Sequence, residues 1–305
     1  MTTVKNILLQ LDTDSFASSF DAVVAVDSGV DSLCQYSNVT EENVTGLVHG
    51  AMFTRSPSKL KHTAIFIGGS NVDAAESVYR RVLRTFFGPM RVSVVMDANG
   101  CNTTSVAAVE SGFSGLSSLS GMVEAEPKPI RALIMGGTGP VGQRVATLLL
   151  DRGCEVVLHS RSAEKAQTVI ERLPSSSPKA SIGFLTKTGP ELEAELASFQ
   201  FVVNAGAAGV QTLNDRAVAI LAETPGVIVD LNAVPPTGVA GIAPHDQAKP
   251  FGRRLGFGSL AVGVWKMKLH RAVIQACFRA NDQVFNLREI ANLSSNLMAE
   301  EMGSR

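Results

Sequence analysis

Short runs of apolar, largely β-branched residues recur along the first third of the chain and alternate with stretches of helical period. Residues 7–11, 22–26, 64–67 and 92–96 are largely apolar or β-branched and are strand candidates. Between them Val72, Ala75, Val78, Tyr79, Val82, Leu83 and Phe86 recur at steps of three and four, one face of a helix that Gly88-Pro89 ends. Strand and helix in turn predict a parallel α/β sheet. At 111–129 the periodicity gives way to Ser and Gly and then to an acidic, Pro-bounded stretch, the composition of a connection between domains. A second series follows, with strands over 130–135, 155–158, 201–204 and 227–231 and a helix over 141–150 that Gly153 stops. The last periodic stretches, 265–279 and 287–302, predict helices, the second opened by Asn286 as N-cap with Glu289 three residues on.

Composition narrows the class. Of 305 residues 45% are hydrophobic and 18% charged, with 27 Lys and Arg against 28 Asp and Glu, which excludes a disordered chain and a basic footprint for nucleic acid. The longest uncharged stretch, 196–214, is interrupted by Ser198, Gln200, Asn204, Gln211, Thr212 and Asn214, so no membrane span is expected. The first twelve residues reach Asp12 before an apolar region of signal-peptide length forms, which predicts a cytoplasmic protein. Cys34, Cys101, Cys154 and Cys277 are scattered singly, without the paired spacing of a zinc site, and read as reduced thiols; no metal is expected.

The strand over 130–135 runs into GGTGPVG, which holds G-x-G-x-x-G from Gly137 to Gly142. Gly137 permits the tight turn, Gly139 lets a pyrophosphate approach the backbone and Gly142 lets the helix pack on the strand, while Thr138, Pro140 and Val141 complete a helix start whose amides face an anion. A structural glycine turn is the plainer alternative; the strand before and the helix after favour the cofactor. Where the next strand ends, the acid that binds an adenosine ribose 2′-hydroxyl is missing and the chain reads HSRSAEK from His159. Arg161 can fork around a 2′-phosphate, Ser160 and Ser162 can donate to it and Lys165 adds charge, so NADP is expected over NAD; if Arg161 is only a solvated loop residue, NAD remains possible. Two further strand ends belong to the same crevice. Ala205 and Gly206 are small where a nicotinamide needs close approach, and Asn232 follows Asp230.

In the first half the densest polar cluster is DANGCNTT from Asp97, directly after a strand, where an open α/β sheet binds ligands. Asp97, Asn99, Asn102 and Thr103 are candidates there, with an N-cap role for Asn102 or Thr103 on a helix over 104–110 as the local alternative. Asp12-Thr13-Asp14 resembles the D-x-D loop of haloacid-dehalogenase-type phosphatases, but Phe16 and the absence of an acidic pair downstream argue against it. Asp27 and Asp31 read as a turn rather than a calcium loop. Lys266, Lys268, His270 and Arg271 sit at the predicted start of a helix after the glycine-rich 252–263, where cations oppose the macrodipole and an anionic or polyoxygenated ligand would account for them.

Taken together, DTD, TRSPSK, TAIFIGG, FFGPMRVS, DANGCNTT, MGGTGPVG, AVPPTGVAGI and KMKLHRA make the chain resemble the bacterial NAD(P)-dependent methylene-tetrahydromethanopterin dehydrogenases, whose relatives include enzymes that also accept methylene-tetrahydrofolate. The resemblance implies a Rossmann-type NADP-binding domain over 129–264, a second α/β pterin-binding domain over 1–113 to which 265–305 return, a linker over 114–128 and an active site in the cleft. It implies a homo-oligomer, trimeric or a multiple, and hydride transfer from the methylene carbon to the nicotinamide in formaldehyde oxidation. Lys266, Asp97 and Asn99 would serve the reacting end, with Lys266 positioning an oxygen or the carrier's tail. Asp14, Asn102, Thr103 and Lys268 would bind the carrier, and His270 would be structural. Two other readings stay beside it: a dehydrogenase of another substrate on the same fold, methylene-tetrahydrofolate or a shikimate type whose Lys–Asp pair has no place here, and a non-catalytic NADP sensor.

Overall fold

Strand and helix alternate along the whole chain in the computed structural model, which describes residues 4–119, 129–173 and 177–303. In order the elements are β1 (Ile7–Asp12), α1 (Ser19–Asp27), β2 (Ser32–Tyr36), α2 (Val44–Phe53), β3 (Thr63–Gly68), α3 (Val72–Thr85), β4 (Ser93–Met96), α4 (Cys101–Ser118), β5 (Arg131–Met135), α5 (Pro140–Asp151), β6 (Glu155–His159), α6 (Ala163–Arg172), β7 (Ser181–Leu185), α7 (Pro190–Leu196), β8 (Phe201–Asn204), α8 (Asp215–Ala222), β9 (Gly226–Asp230), β10 (Lys249–Phe251), β11 (Arg254–Phe257), α9 (Ser259–Ala276), β12 (Val284–Phe285) and α10 (Leu287–Gly303). The chain divides into two compact units, Met1–Thr103 with Met267–Arg305, and Thr104–Lys266. The divisions fall inside α4 and α9, whereas the sequence pattern had suggested a linker over 114–128.

The first unit is a parallel sheet in the order β12-β4-β3-β1-β2. β3 is buried along its whole length and β1 beyond its first residue, which is what their unbroken apolar runs require. The order reverses between β1 and β3, so the crevice of this sheet opens past Asp12 and Gly68. One expected strand is corrected: 22–26 lies in α1, whose N-cap Ser18 accepts from the Asp21 amide and whose Val23 and Val26 are exposed. A five-residue apolar run does not tell strand from helix; the Ser18 cap with Asp21 in the first turn was the deciding local signal.

The second unit has the order β10-β11-β9-β8-β5-β6-β7, parallel except for the β10–β11 pair. Counted from β5 and leaving out β10, this is the 3-2-1-4-5-6 order of the Rossmann fold, with its reversal between β5 and β8. Leu133, Val202 and Ile228 from three neighbouring strands pack with Leu196, Phe199 and Leu221 to form the core on one face.

Two sequence expectations fail for physical reasons. The Ser- and Gly-rich 111–118 is the second half of α4: at Gly115 a Cβ would stand 2.8 Å from both Phe257 Cε2 and Val227 Cγ1, and at Gly112 it would collide with the Phe201 ring. Small residues are there to let a helix lie close on the sheet, and Ser117 and Ser118 return their hydroxyls to the carbonyls of Phe113 and Ser114. The rest of the expected linker, 120–128, lies outside the described residues. Likewise α9 begins at Ser259, so Lys266, Lys268, His270 and Arg271 stand in its middle and the macrodipole argument for them lapses. No helix of the described residues is long and apolar enough to cross a membrane.

A buried arginine ties the far side of this unit. Arg254 on β11 donates to the carbonyl of Leu221 near the end of α8, to Phe199 O at 2.7 Å and to Thr224 Oγ1 at 2.7 Å, and burial lowers its pKa to about 10. Arg254→Ala is expected to lower the unfolding free energy by about 2–4 kcal/mol, because it takes the guanidinium donors away from the Phe199 and Leu221 carbonyls and from Thr224 Oγ1, and Leu221 O alone keeps a second donor in the Thr224 amide. A urea melt checks it, and a loss within about 0.5 kcal/mol would show that those carbonyls are satisfied without the guanidinium.

Candidate functional site

At the reversal of the second sheet three backbones meet. Gly136 follows β5 in a left-handed conformation, φ +69°, and a Cβ on it would stand 2.6 Å from Ala205 O past the end of β8. The Gly137 amide donates to His159 O at 3.2 Å, Gly139 N donates to Gly136 O at 3.0 Å, and a Cβ on Gly142 would lie 2.6 Å from Gly136 O. Gly136 and Gly142 are therefore demanded by packing within the protein. Gly139 is different: its φ of −77° suits any residue, and the nearest atom to a Cβ there is 3.4 Å away. No side chain caps α5 at this end, and the Thr138 carbonyl is turned away to accept from Gln143 Nε2 at 2.8 Å. In the first helical turn, which Pro140 opens, the Val141 and Gly142 amides have no partner one turn back, beside a glycine that only something approaching from outside requires. The residues present fit a pyrophosphate.

At the end of β6 the expected 2′-phosphate residues divide. Ser160 Oγ donates to Ser162 O at 2.9 Å and accepts from the Ser162 amide, and Ser162 Oγ accepts from the Lys165 amide as N-cap of α6. The two serines shape the turn. Arg161 is exposed at its tip, with no hydrogen bond or ion pair among the described residues.

Past β8 and β9 lies a network that sequence reasoning did not find. Asn204 Nδ2 donates to Asp230 Oδ1 at 2.7 Å, and Asn204 Oδ1 accepts from Thr212 Oγ1 and the Gly206 amide. Asp230 also accepts from the amides of Asn232 and Val239, each at 3.0 Å. Asn232 in turn accepts from the Gly209 and Val234 amides and donates to Pro236 O. Asn232 thus holds the two loops together, and Ala205 and Gly206 are left half-buried beside Gly136. The signal was available: Asn204 and Asp230 each close a buried strand, where a polar residue needs a partner.

In the first unit the Asp97 loop is an interior network. Asp97 Oδ1 accepts from the amides of Asn102 at 2.9 Å and Thr103 at 3.0 Å, and Oδ2 from Thr103 Oγ1 at 2.6 Å. Asn102 Nδ2 donates to Met96 O and to Asn286 Oδ1, the residue that opens α10 and whose amide meets Glu289. Asp97, Asn102 and Thr103 are fully buried, so the cap of α4 is Asp97 rather than Asn102 or Thr103, and the helix starts at Cys101 rather than 104. Asn99 alone is exposed, with φ +51°. At the crevice of this sheet Asp12 accepts from the Asp14 and Ser18 amides, and Asp14 takes both the amide and the hydroxyl of Ser70 at 2.9 Å, linking the loops after β1 and β3. Lys266 is half-buried on α9, Lys268 pairs with Glu301, and buried His270 stacks on Phe66 with Nε2 4.0 Å from Asp21 Oδ1. Burial pushes the Cys154 thiol up to about 11 and raises that of Cys277 as well, so neither is a ready nucleophile. Among the described residues no three His, Cys, Asp or Glu side chains could hold a metal ion.

Residues 19–99 match the family model of the methylene-tetrahydromethanopterin dehydrogenase N-terminal domain. The bifunctional protein MdtA of Methylorubrum extorquens strain AM1 is 37% identical over 300 residues, covering 96% of this chain and 99% of its own. The NAD(P)-dependent methylenetetrahydromethanopterin dehydrogenase of the same strain is 31% identical over 264 residues, covering 85% and 87%. The chain belongs to the methylene-tetrahydromethanopterin dehydrogenase family. Among solved structures, quinate dehydrogenase from Corynebacterium glutamicum in complex with NAD superposes with a TM-score of 0.50 at 13% identity, covering 96% of this chain and 99% of that one, which shows the fold alone.

The family match runs from α1 into the Asp97–Asn99 turn, within the first unit. The glycine geometry separates two outcomes by substitution. Gly142→Ala should lower the unfolding free energy by about 2 kcal/mol or more, since its Cβ meets backbone. Gly139→Ala should leave it within about 0.5 kcal/mol and yet weaken NADP+ binding about tenfold or more. Urea melts and calorimetric titration read both; an unchanged affinity in Gly139→Ala would show that no phosphate approaches there.

Proposed function

We propose that this chain is an NAD(P)-dependent methylene-tetrahydromethanopterin dehydrogenase. The observation that carries the cofactor half is Gly139 at an uncapped helix start, a glycine the fold itself does not need. The carrier half rests on membership of the family, whose 31% identical member is named for this reaction with either dinucleotide.

Bound at that turn, the dinucleotide supplies a hydride acceptor for the carrier's methylene carbon, and the methenyl cation left behind is stabilised by the two nitrogens that flank it. No proton moves in this step, so the chain's task is to hold two flat rings in line and to keep water out. That accords with a chain whose buried thiols are unreactive and whose carboxylates serve as caps. We assign carrier recognition to the Asp14–Ser70 bridge and to Asn99, with Asp97, Asn102 and Thr103 as positioning residues that hold the Asn99 turn. Lys266 contacts a carrier oxygen, since a lysine beside a forming cation would oppose the reaction, and Lys268, exposed and paired with Glu301, lies at the carrier's tail. Ser160 and Ser162 shape the turn on which Arg161 meets a 2′-phosphate, which sets NADP above NAD. The same resemblance carries a cytoplasmic homo-oligomer, trimeric or a multiple, acting in formaldehyde oxidation.

The test is the rate of nicotinamide reduction with the methylene forms of tetrahydromethanopterin and tetrahydrofolate, each with NADP+ and NAD+. Turnover with the methanopterin carrier is expected, and Arg161→Gln should raise the KM for NADP+ about tenfold while leaving NAD+ within about twofold. Binding of NADP+ without turnover of either carrier would overturn the dehydrogenase reading and favour the sensor.

A further inference from the structure

In the first unit the exposed positions of α2 are Gly46, His49, Gly50 and Phe53, which recur at steps of three and four and form one stripe along the helix. Phe53 is 56% exposed and Phe87, which follows α3, 55%. Their ring centroids are 6.1 Å apart, and the His49 ring lies 5.4 Å from that of Phe53. Single exposed apolar residues are ordinary, whereas two phenylalanines in contact make a patch. Gly46 and Gly50 stand inside a helix, where glycine is the poorest residue after proline, and a Cβ on either would meet nothing within 4 Å among the described residues. Packing within the chain has no use for either glycine; what their bare backbone admits is the close approach of something from outside.

The charges around this stripe are divided along it. α2 and α3 each join two strands of a parallel sheet, so they run in the same direction, and Arg81 ties them side by side by donating from Nε to Thr45 Oγ1 at 3.0 Å. Where both helices begin stand Glu41 and Glu42, just before α2, and Asp73 in the first turn of α3, all exposed. Where both finish stand Arg80, Arg81 and Arg84, exposed as well, with Phe53 and Phe87 at the same end. The face is therefore acidic at one end and basic at the other, with two bare glycines between.

We propose that a second copy of the chain docks on this face, α2 antiparallel to α2 about a two-fold axis that passes by Gly46 and Gly50; this rests on the homo-oligomer proposed above and names a face for it. Charge decides both the occupant and the symmetry. A two-fold axis across the helices lays the acidic end of each copy on the basic end of the other, whereas a parallel contact would set arginines against arginines. The same axis carries the Phe53–Phe87 pair of each copy toward the start of the other's α2, and the missing Cβ atoms let the two helix axes come close. The aromatic end stands at the amino ends of the strands, opposite the crevice past Asp12 and Gly68. A contact of this kind pairs the copies, so the assembly holds an even number of them.

Gel filtration with light scattering at micromolar chain concentration, on wild type, Gly50→Leu, Arg84→Glu, Glu42→Arg and the double variant carrying both charge reversals, tests this. Wild type should hold an even number of copies. Gly50→Leu, whose Cβ meets nothing in its own chain, should halve the mass while circular dichroism keeps the wild-type helix content. Each single reversal should raise the dissociation constant about tenfold or more, because a two-fold axis repeats it, and the double variant should return to within about threefold of wild type. If Gly50→Leu misfolds, the reversals at exposed positions decide alone. An odd number of copies in wild type would overturn the two-fold contact, and so would a double variant no stronger than the single ones. Variants that all keep the wild-type mass would remove only this inference and leave the homo-oligomer on another face. A monomeric wild type would remove the homo-oligomer with it and give the patch to a partner of another kind.

Discussion

The close approach of three backbones at the end of β5 is the constraint on which the second unit depends. Gly136 lies against Ala205, and Gly142 lies against Gly136, so the first helix, the first strand and the fourth strand of the Rossmann order share one contact with no side chain between them. A parallel sheet that reverses at this point leaves a crevice where two crossover helices diverge, and the glycine contact holds the start of α5 down into it. A helix start suited to an anion is then a by-product of packing: the helix end is in place because the backbone fits, and no side chain caps it.

Elsewhere the loops are held by buried polar groups that close on one another. Asn204, Asp230 and Asn232 join the loops after β8 and β9, while Asp97, Asn102 and Asn286 join β4, α4 and the start of α10. Such groups are stabilising only when each finds its partners, which makes the networks all-or-none and their loops rigid. Both networks sit where parallel strands end, and at each an otherwise polar loop is turned inward on itself.

How far the sequence could be read follows from this division. β1, β3, β4, β5, β8 and β9 were legible because strands buried on both faces are apolar along most of their length, and α3 because it is apolar on one face only. β2 was not, since at the sheet edge Ser32, Gln35 and Tyr36 are exposed and leave no apolar run. The second half of α4 read as a linker because the glycines that seat it against Phe201 and Phe257 have the composition of a loop. The glycine turn was legible as strand, turn and helix, but the left-handed residue is Gly136 and not Gly137, because the motif from Gly137 says nothing of the glycine before it. The Asp97 loop was found as a place but misjudged in direction, because local sequence does not say whether a carboxylate turns outward to a ligand or inward to the amides of Asn102 and Thr103.

That last ambiguity has a chemical origin. Enzymes that move protons carry paired acids, bases or nucleophiles, and such residues announce themselves by type and spacing. A hydride passed directly between two rings asks instead for distance, alignment and a dry surface, which backbone, glycine and valine provide as well as any titratable group. In this chain conspicuous polar residues such as Asp97, Asp230 and Asn232 serve the scaffold, turned inward onto backbone amides. Function is readable in such a protein from topology first, from the edge of the sheet at which an uncapped helix start stands, and only then from residue chemistry.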